Sequence, residues 1–229
     1  MTIPLDDLRY EIKFVVPRPE AYRMHGWLKT HAEGFRVAYP PRKVNNVYFD
    51  NFDLATYDEN LSGVSERTKI RLRWYGIDKE LLDGRLELKQ KKNRLGWKTT
   101  FKVQGLPFIG RTWQQIGRDL RELLPMEAQR WLDLHPEPVI INRYEREYYV
   151  SRDGQVRITL DTGLTVLDQR LARSPNRTAR TNLPDVMIVE AKAVDRAFRE
   201  LGRVVSDIPV RVGRFSKYVN GLQTILTSS

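Results

Sequence analysis

The sequence of 229 residues contains no cysteine, which excludes disulfides, thiolate zinc sites and cysteine nucleophiles together. Any bound metal must be held by oxygen or imidazole ligands. Imidazole is scarce too: the 3 histidines are His25, His31 and His135, and they show no ligand spacing. No run of about 18 apolar residues occurs. The opening Met-Thr-Ile-Pro-Leu-Asp-Asp-Leu lacks the basic and apolar regions of a secretory signal, which gives the Asn176-Arg-Thr178 sequon little weight. These absences lead us to expect a soluble cytoplasmic protein. With no internal repeat and no low-complexity tract, the chain reads as a single domain over 1–229, and its 41% hydrophobic residues suffice for a sizeable core.

What the sequence has in excess is positive charge. Its 39 Lys and Arg against 29 Asp and Glu leave a formal net charge of +10, which favours a polyanionic partner: nucleic acid, anionic membrane or a phosphorylated small molecule. The cations are patterned. In Lys69-Ile-Arg-Leu-Arg-Trp-Tyr75, the residues Lys69, Arg71, Arg73 and Tyr75 fall on one face of a strand, and Ile70, Leu72 and Trp74 on the other. A solvated strand face usually mixes both signs of charge with Thr, Ser and Gln, so three successive cations point to an anion lying across the row.

The same parity recurs. Arg9, Glu11 and Lys13 alternate with Tyr10, Ile12 and Phe14. Glu87, Lys89 and Lys91 alternate with Leu86 and Leu88. Lys98, Thr100 and Lys102 share one face of a further strand. Arg157, Thr159 and Asp161 stand against Val156, Ile158 and Leu160, and Glu190 with Lys192 against Val189 and Ala191. Were these strands neighbours in one antiparallel sheet, their charged faces would line a common surface, and closure would wrap the cations round a channel.

Between these strands the pattern changes. A helix is expected from about 20 to 31 after Pro17 and Pro19, a strand over 44–50, and a loop or short helix over 52–63. Trp113, Ile116, Leu120, Leu123 and Leu124 at helical spacing, then Trp131 and Leu132, mark a helical insertion over about 113–134. Strands are expected over 139–150, 156–160 and 165–171, with Asp153-Gly154 as a hairpin turn. The polar stretch 173–185 reads as a mobile loop. A strand over 186–192 precedes a helix starting near Asp195, and a last helix runs from about Ser216.

Seven motifs in chain order, Arg9-Tyr-Glu11-Ile-Lys13, Asn46-Val-Tyr48-Phe49-Asp50, Lys69-Ile-Arg71-Leu-Arg73-Trp-Tyr75-Gly76, Leu86-Glu87-Leu-Lys89, Arg157-Ile-Thr-Leu-Asp161, Val189-Glu190-Ala-Lys192 and Phe215-Ser-Lys217-Tyr218, resemble the VTC domain. This is the polyphosphate polymerase branch of the CYTH, or triphosphate tunnel metalloenzyme, superfamily. The resemblance implies an α+β fold: an eight-stranded antiparallel β-barrel, the triphosphate tunnel, with helices packed outside and at one end. It implies catalytic phosphate-holding roles for Lys13, Arg71, Arg73, Lys89, Arg157 and Lys217, and metal binding by Glu190, with Glu11 and Glu87 as further candidates for a Mn²⁺ or Mg²⁺ ion. Arg9, Lys69, Lys91, Arg143, Lys192 and Tyr75 are candidate substrate-binding residues. The expected reaction is transfer of the ATP γ-phosphate to phosphate or polyphosphate.

Two other readings of that fold stay open: a triphosphate or polyphosphate hydrolase, and a non-catalytic polyphosphate- or nucleotide-binding module. The hydrolase branch opens with Glu-x-Glu-x-Lys, and Arg9 stands where its first Glu would be, a departure that suits the polymerase. Expected ligands are ATP, inorganic polyphosphate and pyrophosphate. Nucleic acid is not expected, because the cations alternate with apolar residues on strands without an aromatic-rich single-strand motif. A membrane-protein partner and the oligomeric state stay open. The carboxylates Glu11, Glu87 and Glu190 read equally well as ion-pair partners that make a crowded cation cluster tolerable. The stretch Gly105 to Thr112 falls one residue short of a P-loop, having Arg111 in place of Lys, and Pro107 removes a backbone donor that such a loop needs.

Overall fold

The computed structural model describes residues 9–92, 95–194 and 197–228; the side chains of Arg9, Leu95 and Val194 are outside it. The sequence also reads as a hairpin of strands 85–91 and 97–104 joined through Asn93 and Gly96; Asn93, like the helix start expected at Asp195, lies outside the described residues. Among the described residues nine strands form: β1 (Arg9–Pro17), β2 (Arg36–Asp50), β3 (Glu66–Tyr75), β4 (Leu81–Lys92), β5 (Leu95–Pro107), β6 (Glu137–Val150), β7 (Val156–Asp168), β8 (Thr181–Asn182) and β9 (Val186–Val194). Six α-helices accompany them: α1 (Ala21–Thr30), α2 (Ala55–Ser62), α3 (Trp113–Glu122), α4 (Met126–Leu134), α5 (Phe198–Ser206) and α6 (Lys217–Ser228).

The strands make one sheet in the order β1-β9-β7-β6-β2-β3-β4-β5, with β8 beside β7. The fold is α+β with a large antiparallel sheet. Its pairing path has two ends, β1 and β5, and no ladder among the described residues joins them. The large antiparallel sheet of the expectation is present, and its closure into an eight-stranded barrel is not seen among the described residues. Alternation specifies which face a strand presents, and that is independent of whether the edges of the sheet meet.

The chain divides into two compact units, each drawn from three segments: residues 1–42, 144–164 and 184–216 in the first, and 43–143, 165–183 and 217–229 in the second. In the first unit, Ile12, Phe14 and Val16 of β1, Val189 and Ala191 of β9, and Ile158 and Leu160 of β7 make one apolar sheet face. Ala21, Met24 and Leu28 of α1 and Leu201 and Val204 of α5 cover it. Each large aliphatic side chain so buried contributes roughly 1.5–3 kcal/mol.

The second unit buries the apolar parity of β2–β5, namely Val47, Phe49, Ile70, Leu72, Trp74, Leu86, Leu88 and Val103, under Trp113, Ile116, Leu120, Ala128 and Leu132 of α3 and α4. The helical insertion read from spacing is thus the cover of that face. Its start is fixed by a capping box, in which Thr112 Oγ1 accepts from the Gln115 backbone N–H and Gln115 Oε1 accepts from the Thr112 N–H. The rejected P-loop candidate resolves accordingly, with Gly105 to Pro107 in β5 and Thr112 as the helix cap.

Three expectations need correction. Strand β2 begins eight residues before Val44 and carries Pro40 and Pro41 within an exposed half. Strand β7 is continuous over Val156–Asp168 where two strands were expected, and Gly163 takes φ +63 inside it, a conformation open to glycine. The stretch 173–185 is not all loop, since β8 lies within it, and hydrogen bonds tie it to its surroundings. Gln169 Nε2 donates to Leu167 O at 2.9 Å and Asn176 O at 3.0 Å, the Asn176 side chain donates to Ala179 O at 2.9 Å, and Trp113 N donates to Arg173 O at 3.0 Å. Polar composition was read as looseness, but these side chains supply the loop's hydrogen bonds.

Gly84 sits beside a register shift in the β4–β5 ladder, and a Cβ there would lie 2.5 Å from the backbone oxygen of Arg73. Gly84→Ala is expected to cost about 1–3 kcal/mol through forced backbone displacement. Urea unfolding monitored by tryptophan fluorescence checks this, and an unchanged midpoint would refute it.

Candidate anion-binding site

Directly paired residues of an antiparallel ladder share a face. In the second unit the polar face therefore carries Lys69, Lys89 and Lys98 in one row across β3, β4 and β5, then Arg71, Glu87 and Thr100, then Arg73, Arg85 and Lys102. Tyr48 and Asn46 of β2 continue the last two rows. Glu87 is 3% exposed and organises the centre. Its Oε2 accepts from Arg71 Nη2 at 2.6 Å and Nε at 2.9 Å, Arg73 Nη1 lies 3.7 Å from that oxygen, and Lys98 Nζ donates to Oε1 at 3.3 Å. Burial by itself would raise the Glu87 carboxyl, yet Arg71, Arg73 and Lys98 together hold it well below the usual carboxylate range. It stays ionised and fixes the cations around it.

The guanidiniums are braced from the side. Arg71 Nη1 donates to Tyr48 Oη at 2.9 Å, Arg73 Nε donates to Asn46 Oδ1 at 2.7 Å, and Asn46 Nδ2 donates to Asn142 Oδ1 at 2.8 Å. Tyr48 stacks on Tyr218 of α6, whose hydroxyl donates to Asp50 Oδ2. Burial pushes the Tyr218 hydroxyl up, and the adjacent Asp50 charge adds to this, so it remains a donor. Burial also lowers the Lys98 ammonium; Glu87 opposes that and the two arginines reinforce it. Such crowding of like charge favours an incoming anion.

The first unit holds a cluster of balanced charge. Lys13 Nζ lies 3.0 Å from Glu11 Oε1 and 3.6 Å from Glu190 Oε1, and donates to Phe215 O at 3.1 Å. Lys192 Nζ lies 2.7 Å from Glu190 Oε2 and 3.5 Å from Glu11 Oε2. Arg146 grips Asp161 through two hydrogen bonds of 2.5 and 2.6 Å and reaches Glu190 Oε2 at 3.4 Å. Arg157 pairs in register with Lys192 on this face and is exposed.

Among the described residues no group of three or more His, Asp or Glu is placed to hold a metal ion. The nearest donor set is Glu11 and Glu190, each bridged by the same two lysines. That set suits a Mg²⁺-like ion, which binds through one or two carboxylates and completes its shell with phosphate oxygens and water. It does not suit an ion caged by protein. Glu87 is held by Arg71, Arg73 and Lys98, and Glu190 likewise by Lys13, Lys192 and Arg146.

Within each unit, then, expected residues meet. Glu11, Lys13, Glu190 and Lys192 come together in the first, with Arg157 on the same face; Arg71, Arg73 and Glu87 come together in the second, flanked by Lys69 and Lys89. Lys91 pairs with Arg67 one row further along, Tyr75 is at the end of β3 and 43% exposed, and Lys217 opens α6 and is only 8% exposed. The Arg9 side chain lies outside the described residues. Arg143 is the departure: Asn142 belongs to the Asn46–Arg73 network, and its neighbour Arg143 points to the opposite face of β6.

Arg146, Asp161, Lys98 and Tyr48 are site residues that site selection from the sequence missed. In Arg143-Tyr-Glu-Arg146-Glu-Tyr both parities carry charge, so alternation does not decide which arginine faces inward. The signal that would have found Arg146 is the Asn142–Tyr144–Arg146 parity.

The chain is thus of the α+β class, with a large antiparallel sheet that gathers arginines, lysines and a few carboxylates on its polar face. A model of the VTC domain matches residues 8–226. The chain belongs to the VTC domain family, consistent with the triphosphate tunnel superfamily, and is in general terms a polyphosphate-related enzyme. Comparison with curated proteins returned no match. Among solved structures, the Schizosaccharomyces pombe Mediator head module is similar at 8% identity over 90% of this chain and 97% of that one, with a TM-score of 0.46; a likeness of that size carries no argument. No helix among the described residues is long and apolar enough to cross a membrane.

Proposed function

We propose that this VTC-family chain is an ATP-dependent polyphosphate polymerase of the triphosphate-tunnel kind. The observation that carries the reading is the cation excess on the β3–β5 face, where arginines are held ready by Glu87, Tyr48 and Asn46. A phosphate-chain oxygen attacks the γ-phosphorus of ATP, the bond from that phosphorus to the β,γ-bridging oxygen breaks, and ADP leaves with the electron pair. No protein nucleophile is needed; the demands are alignment, neutralisation of developing charge and exclusion of water.

In this reading Arg71 and Arg73 grip phosphate oxygens with their planar forks, and Lys13, Lys89, Arg157 and Lys217 supply further positive charge. Lys69, Lys91 and Lys192 attract and align the anion, and tunnel closure belongs to the same proposal. Glu11 and Glu190 would hold Mn²⁺ or Mg²⁺. The ion, when bound, neutralises phosphate charge.

The test is incubation of purified protein with ATP and Mn²⁺, following free phosphate and long-chain polyphosphate together. Long chains, lost when EDTA removes the metal, are the expected outcome. Free phosphate alone would make the chain a hydrolase, and neither product would leave a polyanion-binding module.

A further inference from the structure

A second basic feature of the second unit lies away from the cation rows. Arg143, Thr165, Leu167, Arg177, Thr178 and Arg180 line a cavity of about 340 Å³. Arg143 and the alternation of β7 put it on the face of the sheet that also carries Ile141 and Leu167, which pack in the core beneath α3 and α4. The rows of Arg71 and Arg73 occupy the other face.

Several observations show that this cavity is built rather than incidental. Asp78 Oδ2 accepts from Arg143 Nη2 at 2.7 Å, and Asp78 Oδ1 accepts from Trp74 Nε1 at 3.1 Å, so the guanidinium is held from behind by a carboxylate itself anchored to the core. Arg143 Nε is buried and has no hydrogen-bond acceptor among the described residues. A buried donor left unmet is unfavourable, and it belongs to a side chain that lines the cavity. The loop that brings Arg177 and Arg180 is fixed by Asn176, whose Oδ1 accepts from the backbone N–H groups of Thr178 and Ala179 and whose own N–H donates to Gln169 Oε1 at 2.8 Å. Gln169 is 1% exposed.

The lining therefore joins three guanidiniums and two hydroxyls, and the carboxylate of Asp78 is already occupied by Arg143. Arg177 and Arg180 are exposed, and no carboxylate is among the lining residues. Guanidinium forks with hydroxyl donors are the chemistry that recognises tetrahedral oxyanions.

We propose that this cavity is an accessory binding site for a phosphoryl group, of the size of phosphate or pyrophosphate, separate from the cation rows. It does not depend on the polymerase reading, because it makes no use of the residues assigned there to catalysis.

Calorimetric titration of the intact protein with pyrophosphate tests it, comparing wild type with Arg177→Ala/Arg180→Ala and with Arg71→Ala. Both replaced loop arginines are exposed, so the fold should survive, which thermal melting checks. The double variant is expected to lose one class of sites, with affinity falling roughly tenfold or more for two charge-assisted contacts. Arg71→Ala should leave that class intact even if the proposed catalytic face binds nothing, so the two readings fail separately. A parallel arm uses phosphatidylcholine vesicles with and without phosphatidic acid. Arginine-dependent capture by the acidic vesicles, without pyrophosphate binding, would assign the phosphoryl group to a lipid headgroup. Unchanged binding of both probes by the double variant would overturn the site.

Discussion

Arg71→Ala is expected to lower polyphosphate synthesis by about 10²-fold or more, the scale for removing a positioned donor that stabilises charge in phosphoryl transfer. The same change should cost little stability. Arg71 supplies the two shortest contacts to Glu87, but Lys98 at 3.3 Å and Arg73 at 3.7 Å remain, so the buried carboxylate is not orphaned. Arg71→Lys separates charge from geometry. A lysine keeps the positive charge yet cannot brace Tyr48 and Glu87 together as the guanidinium does, so it should recover only a minor part of the lost rate. Rates should be read beside urea unfolding of the same preparations. A variant that unfolds at markedly lower urea, or one that keeps wild-type synthesis, would remove Arg71 from the proposed role.

Much of that site was legible because strand parity is a hard constraint. Lys69, Arg71 and Arg73 had to share a face, and so did Glu87 with Lys89; the observed registers Lys69↔Lys89 and Arg71↔Glu87 then align the rows. What parity does not contain is register itself. That Lys98 falls opposite Lys89, and so beside Glu87, depends on the β4–β5 ladder, and no local pattern gives it. Arg146 was obscured for a different reason, since Arg143, Glu145, Arg146 and Glu147 charge both faces of β6. Helices α3 and α4 were readable from spacing because Trp113, Ile116 and Leu120 are buried on one side. The hydrogen bonding of loop 173–185 was not readable, as it includes a contact far apart in sequence, Trp113 with Arg173.

Arg146→Met should destabilise the protein by about 3–5 kcal/mol, the cost of removing one partner from a buried ion pair. Asp161 is 0% exposed, and both of its oxygens accept from Arg146. Burial opposes the Arg146 charge, yet Asp161 and Glu190 outweigh it and keep the guanidinium firmly protonated. Without it the Asp161 carboxylate must either stay charged in a dry site or take up a proton. Arg146→Met/Asp161→Leu removes the charge at both ends, and replacing a whole buried pair by apolar groups is often near neutral. The double variant is therefore expected to recover most of the loss, giving a coupling energy of about 2–3 kcal/mol in a denaturation cycle. Recovered stability need not bring recovered synthesis. Glu190 would still be bridged by Lys13 and Lys192 at 3.6 and 2.7 Å, but it would lose its third cation, and with it the constraint that aims the carboxylate proposed to hold the metal. Stability restored with synthesis still impaired assigns Arg146 a positioning role towards Glu190. Equal destabilisation in the single and double variants would show instead that Asp161 does not depend on Arg146, and would withdraw the pair from both the fold and the site.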